Sequence, residues 1–339
     1  MKKIVKQILG IDVAQKELVV CFGKMYNDWT PELIANKTFS NTAKGFLLLT
    51  NWVNKLKDSA MKVHYVMEAT GVYHEQLAYY LSDRGDFLSI VLPNKISNYA
   101  RTLAVKTITD KTASEAITLF GLERNLEYWN KPKKMFKNLR QLTRERSQLI
   151  EERTMLKNQL HAEKSGAEPL ANSIQRINKR IVLLNKQEVE IQQEIKALVT
   201  SDEQVHKTAQ FICSIPGVGL LTAATILGET NGFDLIRNKR QLSSYAGLDV
   251  KEKQSGTSVK GKPKISKKGN KHLRKCLHLP ALSAIRNDDR YKNVFARLVS
   301  KHGIKMKAAV AIQRKILEMS YILYKTQVPY NKLYFENIN

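Results

Sequence analysis

The chain has 339 residues, 43% of them hydrophobic, and its 56 Lys and Arg against 31 Asp and Glu leave a formal net charge of +25. That length suits two or three domains, and the apolar content excludes a disordered basic tail. No apolar run reaches the roughly 18 residues that a membrane span needs, and a chain this basic calls for a polyanionic partner, most often nucleic acid.

The first fifteen residues contain an apolar stretch broken by Lys6, Gln7 and Asp12 and no small-residue cleavage site, so no signal peptide is expected. Cys21, Cys213 and Cys276 lie far apart without metal-ligand spacing. They predict a reducing, cytoplasmic setting and no disulfide framework.

The first third alternates strand and helix signals. Residues 8–13 and 18–22 are short apolar runs separated by 14–17, which predicts a hairpin. Phe46, Leu47, Leu49, Trp52, Val53 and Leu56 recur at helical spacing after Asn41 and Thr42, two candidate caps. Residues 64–67 form a β-rich run ending at Glu68, Gly71 and Val72 turn into a helix over 75–81, and 87–92 is a strand closed by Pro93. This alternation predicts an α/β layer with a buried, largely parallel sheet.

The middle third changes period. Met135, Leu142, Leu149 and Leu156 recur every seven residues, with Leu139 and Leu160 between them. After a break at 165–169, the positions Ile174, Ile177, Ile181, Leu184, Glu188, Ile191, Ile195 and Leu198 alternate spacings of three and four, and only Glu188 is polar. Two heptad helices joined by a Gly/Pro break predict an antiparallel coiled-coil hairpin, or arms that dimerise.

The last third opens on Ile215-Pro216-Gly217-Val218-Gly219, leading into a helical stretch over 220–227. Gly217 and Gly219 read as the hairpin of a helix-hairpin-helix element, whose backbone N–H groups suit a phosphate. Alone, the same five residues equally describe an ordinary turn. Between positions 245 and 320, nineteen Lys and Arg face five acids, so more than half of the excess charge sits in less than a quarter of the chain. A charge run is ordinarily a solvated face. Here Lys260, Lys262, Lys264, Lys267, Lys268, Lys271 and Arg274 crowd closely enough to repel one another, and a phosphate backbone relieves such crowding by counterion release. Residues 308–323 predict a further amphipathic, core-forming helix.

Three acids stand out. Asp12 sits in an apolar strand, where an ionised carboxylate is costly unless it is paired or binds a metal. Glu68 follows a second apolar run, and Asp110 precedes the apolar positions Ile117 and Phe120. Most single acids are solubilisers or caps. Three at the ends of separate α/β elements can converge on Mg²⁺, which takes hard oxygen ligands, and two such ions orient an in-line displacement at phosphorus.

Gly10-Ile11-Asp12-Val13-Ala14-Gln15-Lys16, Glu68-Ala69-Thr70-Gly71-Val72-Tyr73 and Thr109-Asp110-Lys111 together resemble the DEDD transposases of the insertion sequence 110 family. Ile215–Gly219, Tyr245-Ala246-Gly247-Leu248, Gln254-Ser255-Gly256 and the stretch from Ile265 to Arg274 resemble the second domain of that family, in family order. The resemblance implies an α/β RNase-H-like (RuvC-like) domain over 1–130 with Asp12, Glu68 and Asp110 as Mg²⁺-binding catalytic acids. It implies an α-helical coiled-coil hairpin over 131–207 that mediates assembly. A mainly α C-terminal transposase domain over 208–339, with the helix-hairpin-helix element, would carry Ser255 as the nucleophile joined covalently to a DNA phosphate. Donor and target DNA, a structured bridge RNA and a homodimer assembling to a tetramer on DNA are the implied partners.

One position departs from the family pattern. The fourth acid should lie three residues after Asp110, where this chain has Ala113. Glu115, at i+5, points to another face of a regular helix. An irregular turn bringing in Glu115, a three-acid site and an inactivated protein are all consistent with the sequence.

A serine hydroxyl needs activation, and Ser255 has no His/Asp partner nearby and no GxSxG elbow. Acid-bound Mg²⁺ would supply that activation, and the surrounding lysines would hold the phosphate. Two rival functions use the same features. A RuvC-like junction nuclease employs the acids with water and forms no covalent intermediate, and a non-catalytic DNA- or RNA-binding protein needs only the basic segment. A sugar kinase fits the first strand but lacks a later glycine-rich loop.

Overall fold

The computed structural model describes residues 2–69, 71–103, 107, 109–234, 236–251, 254–255, 259–260 and 264–331, with backbone alone at 254–255 and 259–260. The chain forms two compact units, Met1–Lys131 and Pro132–Asn339.

The first unit runs β1 (Ile4–Val13), β2 (Glu17–Tyr26), β3 (Pro31–Ser40), α1 (Ala43–Leu56), β4 (His64–Glu68), α2 (Glu75–Asp83), β5 (Phe87–Val91), α3 (Pro93–Ala100) and α4 (Asp110–Glu123). Its sheet has the order β3-β2-β1-β4-β5. The sheet is mixed, which corrects the expectation of a largely parallel one. Short connections force β1, β2 and β3 into an antiparallel meander, and β4 and β5 alone join in parallel, after α1 and α2. β3 carries no apolar alternation because it is an edge strand whose one buried residue is Phe39. Pro93 opens α3 at its first turn, where the missing N–H costs nothing.

Strand parity sorts the sheet's two faces. Leu9, Ile11 and Val13 of β1 and Tyr65 and Met67 of β4 pack with Phe46, Leu49 and Val53 of α1 and Leu77 and Leu81 of α2. Ile8 and Val66 face the other way, onto Ile117 and Leu122 of α4. Each fully buried side chain of this kind contributes about 1.5–3 kcal/mol. A one-residue slip would exchange the two sets between faces, so the register is firmly set.

The second unit runs α5 (Lys134–Ser165), α6 (Ala171–Thr200), α7 (Glu203–Cys213), α8 (Leu220–Thr230), α9 (Lys239–Tyr245), β6 (Val250–Lys251), β7 (Gln254–Ser255), β8 (Val259–Lys260), β9 (Lys264–Ile265), α10 (Lys271–Cys276), α11 (His278–Asn287), α12 (Asp289–His302) and α13 (Lys305–Thr326). α5 and α6 pack on one another, and α6 buries Ile177, Leu184, Glu188, Ile191, Ile195 and Val199. Phe136 and Leu139 of α5 and Ile191, Ile195 and Val199 of α6 share one core with Leu227 of α8 and Ile312 and Ile316 of α13. α13 therefore forms core, as its spacing predicts. Among the described residues no helix is long and apolar enough to cross a membrane, and the three cysteines are free.

Candidate active site

The parallel register of β1 and β4 pairs Ile8 with His64 and Ile11 with Met67. Asp12 and Glu68 are the next residues of these neighbouring strands, beyond the last pair. By parity both belong to the face that α4 covers. α4 comes very close to β1: a Cβ on Gly10 would meet Thr118 Oγ1 at 2.3 Å and the Ser114 carbonyl oxygen at 2.7 Å. Thr118 Oγ1 donates to the Cys21 carbonyl of β2 at 2.9 Å, and so fastens the helix to the sheet. Thr109 caps α4, its hydroxyl accepting from the Thr112 N–H at 3.3 Å. This places Asp110 in the first helical turn, where the helix dipole favours a carboxylate.

The acids act on one another. Burial, and then the charge of Asp110, hold the Asp12 carboxyl above its ordinary pKa, against a backbone hydrogen bond from Val13. Burial, and then the charge of Asp12, do the same to Glu68. Like charges brought together in a half-buried place disfavour ionisation and favour a cation. The donor set is three hard carboxylates, which fits a divalent ion of the Mg²⁺ type. As placed, no group of three or more His, Cys, Asp or Glu side chains among the described residues is close enough to hold a metal. Chelation by all three acids therefore requires their side chains to draw together.

α4 is a regular helix through the position of the departure, and Glu115 is engaged elsewhere. It accepts from Asn36 Nδ2 of β3 at 3.0 Å and pairs with Lys111 at 4.0 Å. It also bears on the Cys21 thiol of β2, which burial pushes up to about 11. The irregular turn that would bring in Glu115 is absent.

Asn41, read in the sequence as a capping candidate, holds the acid edge together instead. Its side-chain amide donates to the Ala14 carbonyl at 2.9 Å and the Tyr73 carbonyl at 3.1 Å, joining the loops that follow β1 and β4. Thr42 is the cap of α1, accepting from the Gly45 N–H.

Ser255 lies in the other unit. Two short ladders run between α9 and α10: β6 pairs with β9 through Val250–Ile265, and β7 pairs with β8 through Ser255–Val259. Ser255 thus sits on the inner of two nested hairpins. The base of the outer one is fastened on both sides. Ser266 Oγ donates to Asp249 Oδ1 at 2.5 Å, and the Lys267 N–H to the Gly247 carbonyl at 3.1 Å.

Of the expected nucleic-acid contacts, Lys264, Lys267, Lys268 and Lys271 are exposed. Lys260 lies in β8 opposite Gln254, and Lys262 falls outside the described residues. Arg274 is half-buried and donates to the Ala246 carbonyl at 2.7 Å and the Gly269 carbonyl at 3.1 Å, so it also braces the hairpin base. Gly217 and Gly219 lie in the loop between α7 and α8. Gly217 has φ +82° and presses on α11, where a Cβ would meet the Pro280 carbonyl at 2.7 Å. Gly219 opens α8 with free space around it.

Comparison with known proteins bears on the chain's family. The family described as "Transposase IS116/IS110/IS902 family" matches residues 209–296, and the IS110-type DEDD transposase family matches residues 9–163. Along most of its length the chain is similar to the pilin gene-inverting protein of Moraxella bovis, with 29% identity over 96% of this chain and 98% of the relative. It is also similar to the transposase for insertion sequence element IS1111A of Coxiella burnetii, with 31% identity over 44% of this chain and 41% of that one. A RuvC of T. thermophilus in complex with Holliday junction substrate aligns at 7% identity over 36% of this chain and 99% of its own, with a TM-score of 0.28, too low to define a fold. The two family matches together cover more than half of the sequence, and the chain belongs to the IS110-type DEDD transposases, an enzyme family.

Proposed function

We propose that this enzyme cuts and rejoins DNA through a phosphoserine intermediate, as the transposase of an insertion sequence or as a site-specific invertase. The observation that carries the reading is the placement of Asp12 and Glu68 on neighbouring strands at one end of the sheet with Asp110 in electrostatic range, where burial and then a neighbouring carboxylate raise the proton affinity of the first two. The mixed five-stranded sheet supports an RNase-H-like assignment for this unit. Near-complete coverage of a protein named for gene inversion supports rearrangement rather than binding alone.

In the proposed reaction Ser255 Oγ forms a bond to phosphorus as the P–O bond to the leaving strand breaks, and the departing oxygen takes up a proton. A second hydroxyl then reverses the exchange and frees the serine, so no external energy source is needed. A divalent cation held by Asp12, Glu68 and Asp110, Mg²⁺ by the hardness of the donors, would neutralise charge developing at phosphorus. Lys264, exposed on β9, and Lys267, Lys268 and Lys271, exposed just past the hairpin, suit the DNA backbone or a structured guide RNA of the bridge type. A dimer assembling to a tetramer on DNA, through the long α5–α6 pair, completes the proposal.

Asp12→Ala tests the role of the acids. Cleavage dependent on Mg²⁺ should fall by at least about a thousandfold, while DNA affinity stays within about twofold. Unchanged cleavage would remove the acids from the mechanism and favour a binding protein.

A further inference from the structure

Glu229 is the most deeply buried carboxylate among the described residues of the second unit. Its side chain is 1% exposed, whereas that of its partner Arg144 is 44% exposed. Arg144 Nε donates to Oε1 at 2.7 Å and Nη2 to Oε2 at 2.8 Å, a two-point grip from α5 onto α8. Asn270 Nδ2 donates to Oε2 at 2.6 Å. The Tyr245 hydroxyl donates to the Glu229 main-chain carbonyl at 2.9 Å. The Asn270 N–H in turn donates to the Tyr245 carbonyl at 2.8 Å, which closes a ring of three residues.

Two of these partners flank the serine hairpin symmetrically. Tyr245 ends α9, five residues before the outer strand begins at Val250. Asn270 lies five residues after that strand's partner ends at Ile265, and its Oδ1 caps α10 by accepting from the His272 and Leu273 N–H groups. Both feet of the hairpin are therefore bonded to one residue of α8, and through Arg144 to the 32-residue helix α5. Burial alone would raise the Glu229 carboxyl; Arg144 and Asn270 hold it below its usual range, so it stays ionised. A buried charge with three donors aimed at it gives a sharply defined geometry, because any displaced partner leaves it uncompensated.

We propose that Glu229 is a positioning residue for the Ser255 reaction: it locks both feet of the nested hairpin to α8 and to the long helix α5. This rests on Ser255 being the nucleophile, and it makes the Glu229–Arg144 pair a buried link between α5 and the hairpin. None of its groups touches the reacting phosphate in this scheme.

Glu229→Gln in the full-length protein removes the charge and keeps the shape, and Tyr245→Phe removes a single bond of the ring. Two readouts apply to both. Amide hydrogen exchange over 246–250 and 265–270 should speed up at least tenfold in Glu229→Gln and about threefold in Tyr245→Phe, with α12 and α13 unchanged. The single-turnover rate of covalent adduct formation at saturating DNA should fall in the same order, while the DNA concentration for half-saturation stays constant. Exchange at the hairpin feet equal to that of the parent in both variants would overturn the proposal, whatever the chemistry. A Ser255→Ala protein that still forms the adduct would overturn the serine assignment instead.

Discussion

Asp12 gives the acid edge its character, because a half-buried carboxylate facing two others is a standing electrostatic cost. The sign of that cost is testable. Its folded-state pKa is raised, so the folded protein binds the proton more tightly than the unfolded one. The associated stability is present at low pH and is lost as pH rises through the raised value. Asp12→Asn should therefore be more stable than the parent at pH 7 in a chelator, by urea midpoint, and the gap should close as pH falls through the Asp12 titration. Added Mg²⁺ should stabilise the parent and leave the variant unmoved. At this scale the sequence was informative about Asp12 and Glu68, since an acid inside or just after an apolar strand needs a reason to be there. It offered Asn41 only as a helix cap and was silent about Glu229. Each is an ordinary polar residue in its local context, and their roles arise from bonds to side chains and carbonyls 27 to 85 positions away.

At the scale of elements, Glu188 shows how a polar residue fits an apolar helix seam. Arg146 Nη2 donates to it at 2.8 Å, Arg153 Nη1 bonds its other oxygen, and Gln192 reaches it at 3.2 Å. Glu188→Ala leaves two guanidinium groups together without their common carboxylate. It should cost about 2 kcal/mol by denaturant unfolding, whereas Glu188→Ala combined with Arg146→Met and Arg153→Met should recover most of that loss. The heptad spacing revealed the seam, and the lone Glu188 marked the place where partners had to be found. β3 was not legible, because an edge strand with one buried residue has no period to read. The parallel sheet was misjudged for a related reason: the short connection after residue 13 reveals the β1–β2 hairpin, but the unread β3 hides that the hairpin extends into a three-stranded antiparallel meander. Gly10 carries a third lesson. It reads as a motif glycine, yet what requires it is the approach of α4, which brings Asp110 into electrostatic range of Asp12.

For the whole molecule, the charge of +25 is shared by two units of different character. The first concentrates carboxylates on one sheet edge; the second presents lysines beside a hairpin that its own buried network braces. The family match spans both, so the activity belongs to the chain as a whole rather than to either unit. In the proposed reaction Ser255 joins to DNA in a step that also needs the acids. The most direct measurement is mass spectrometry of the protein after reaction with its DNA under denaturing conditions. A nucleotide-bearing peptide modified at Ser255 is expected in the parent, absent in Ser255→Ala and in Asp12→Ala. Cleaved DNA with no covalent peptide, or an adduct that persists in Ser255→Ala, would contradict it.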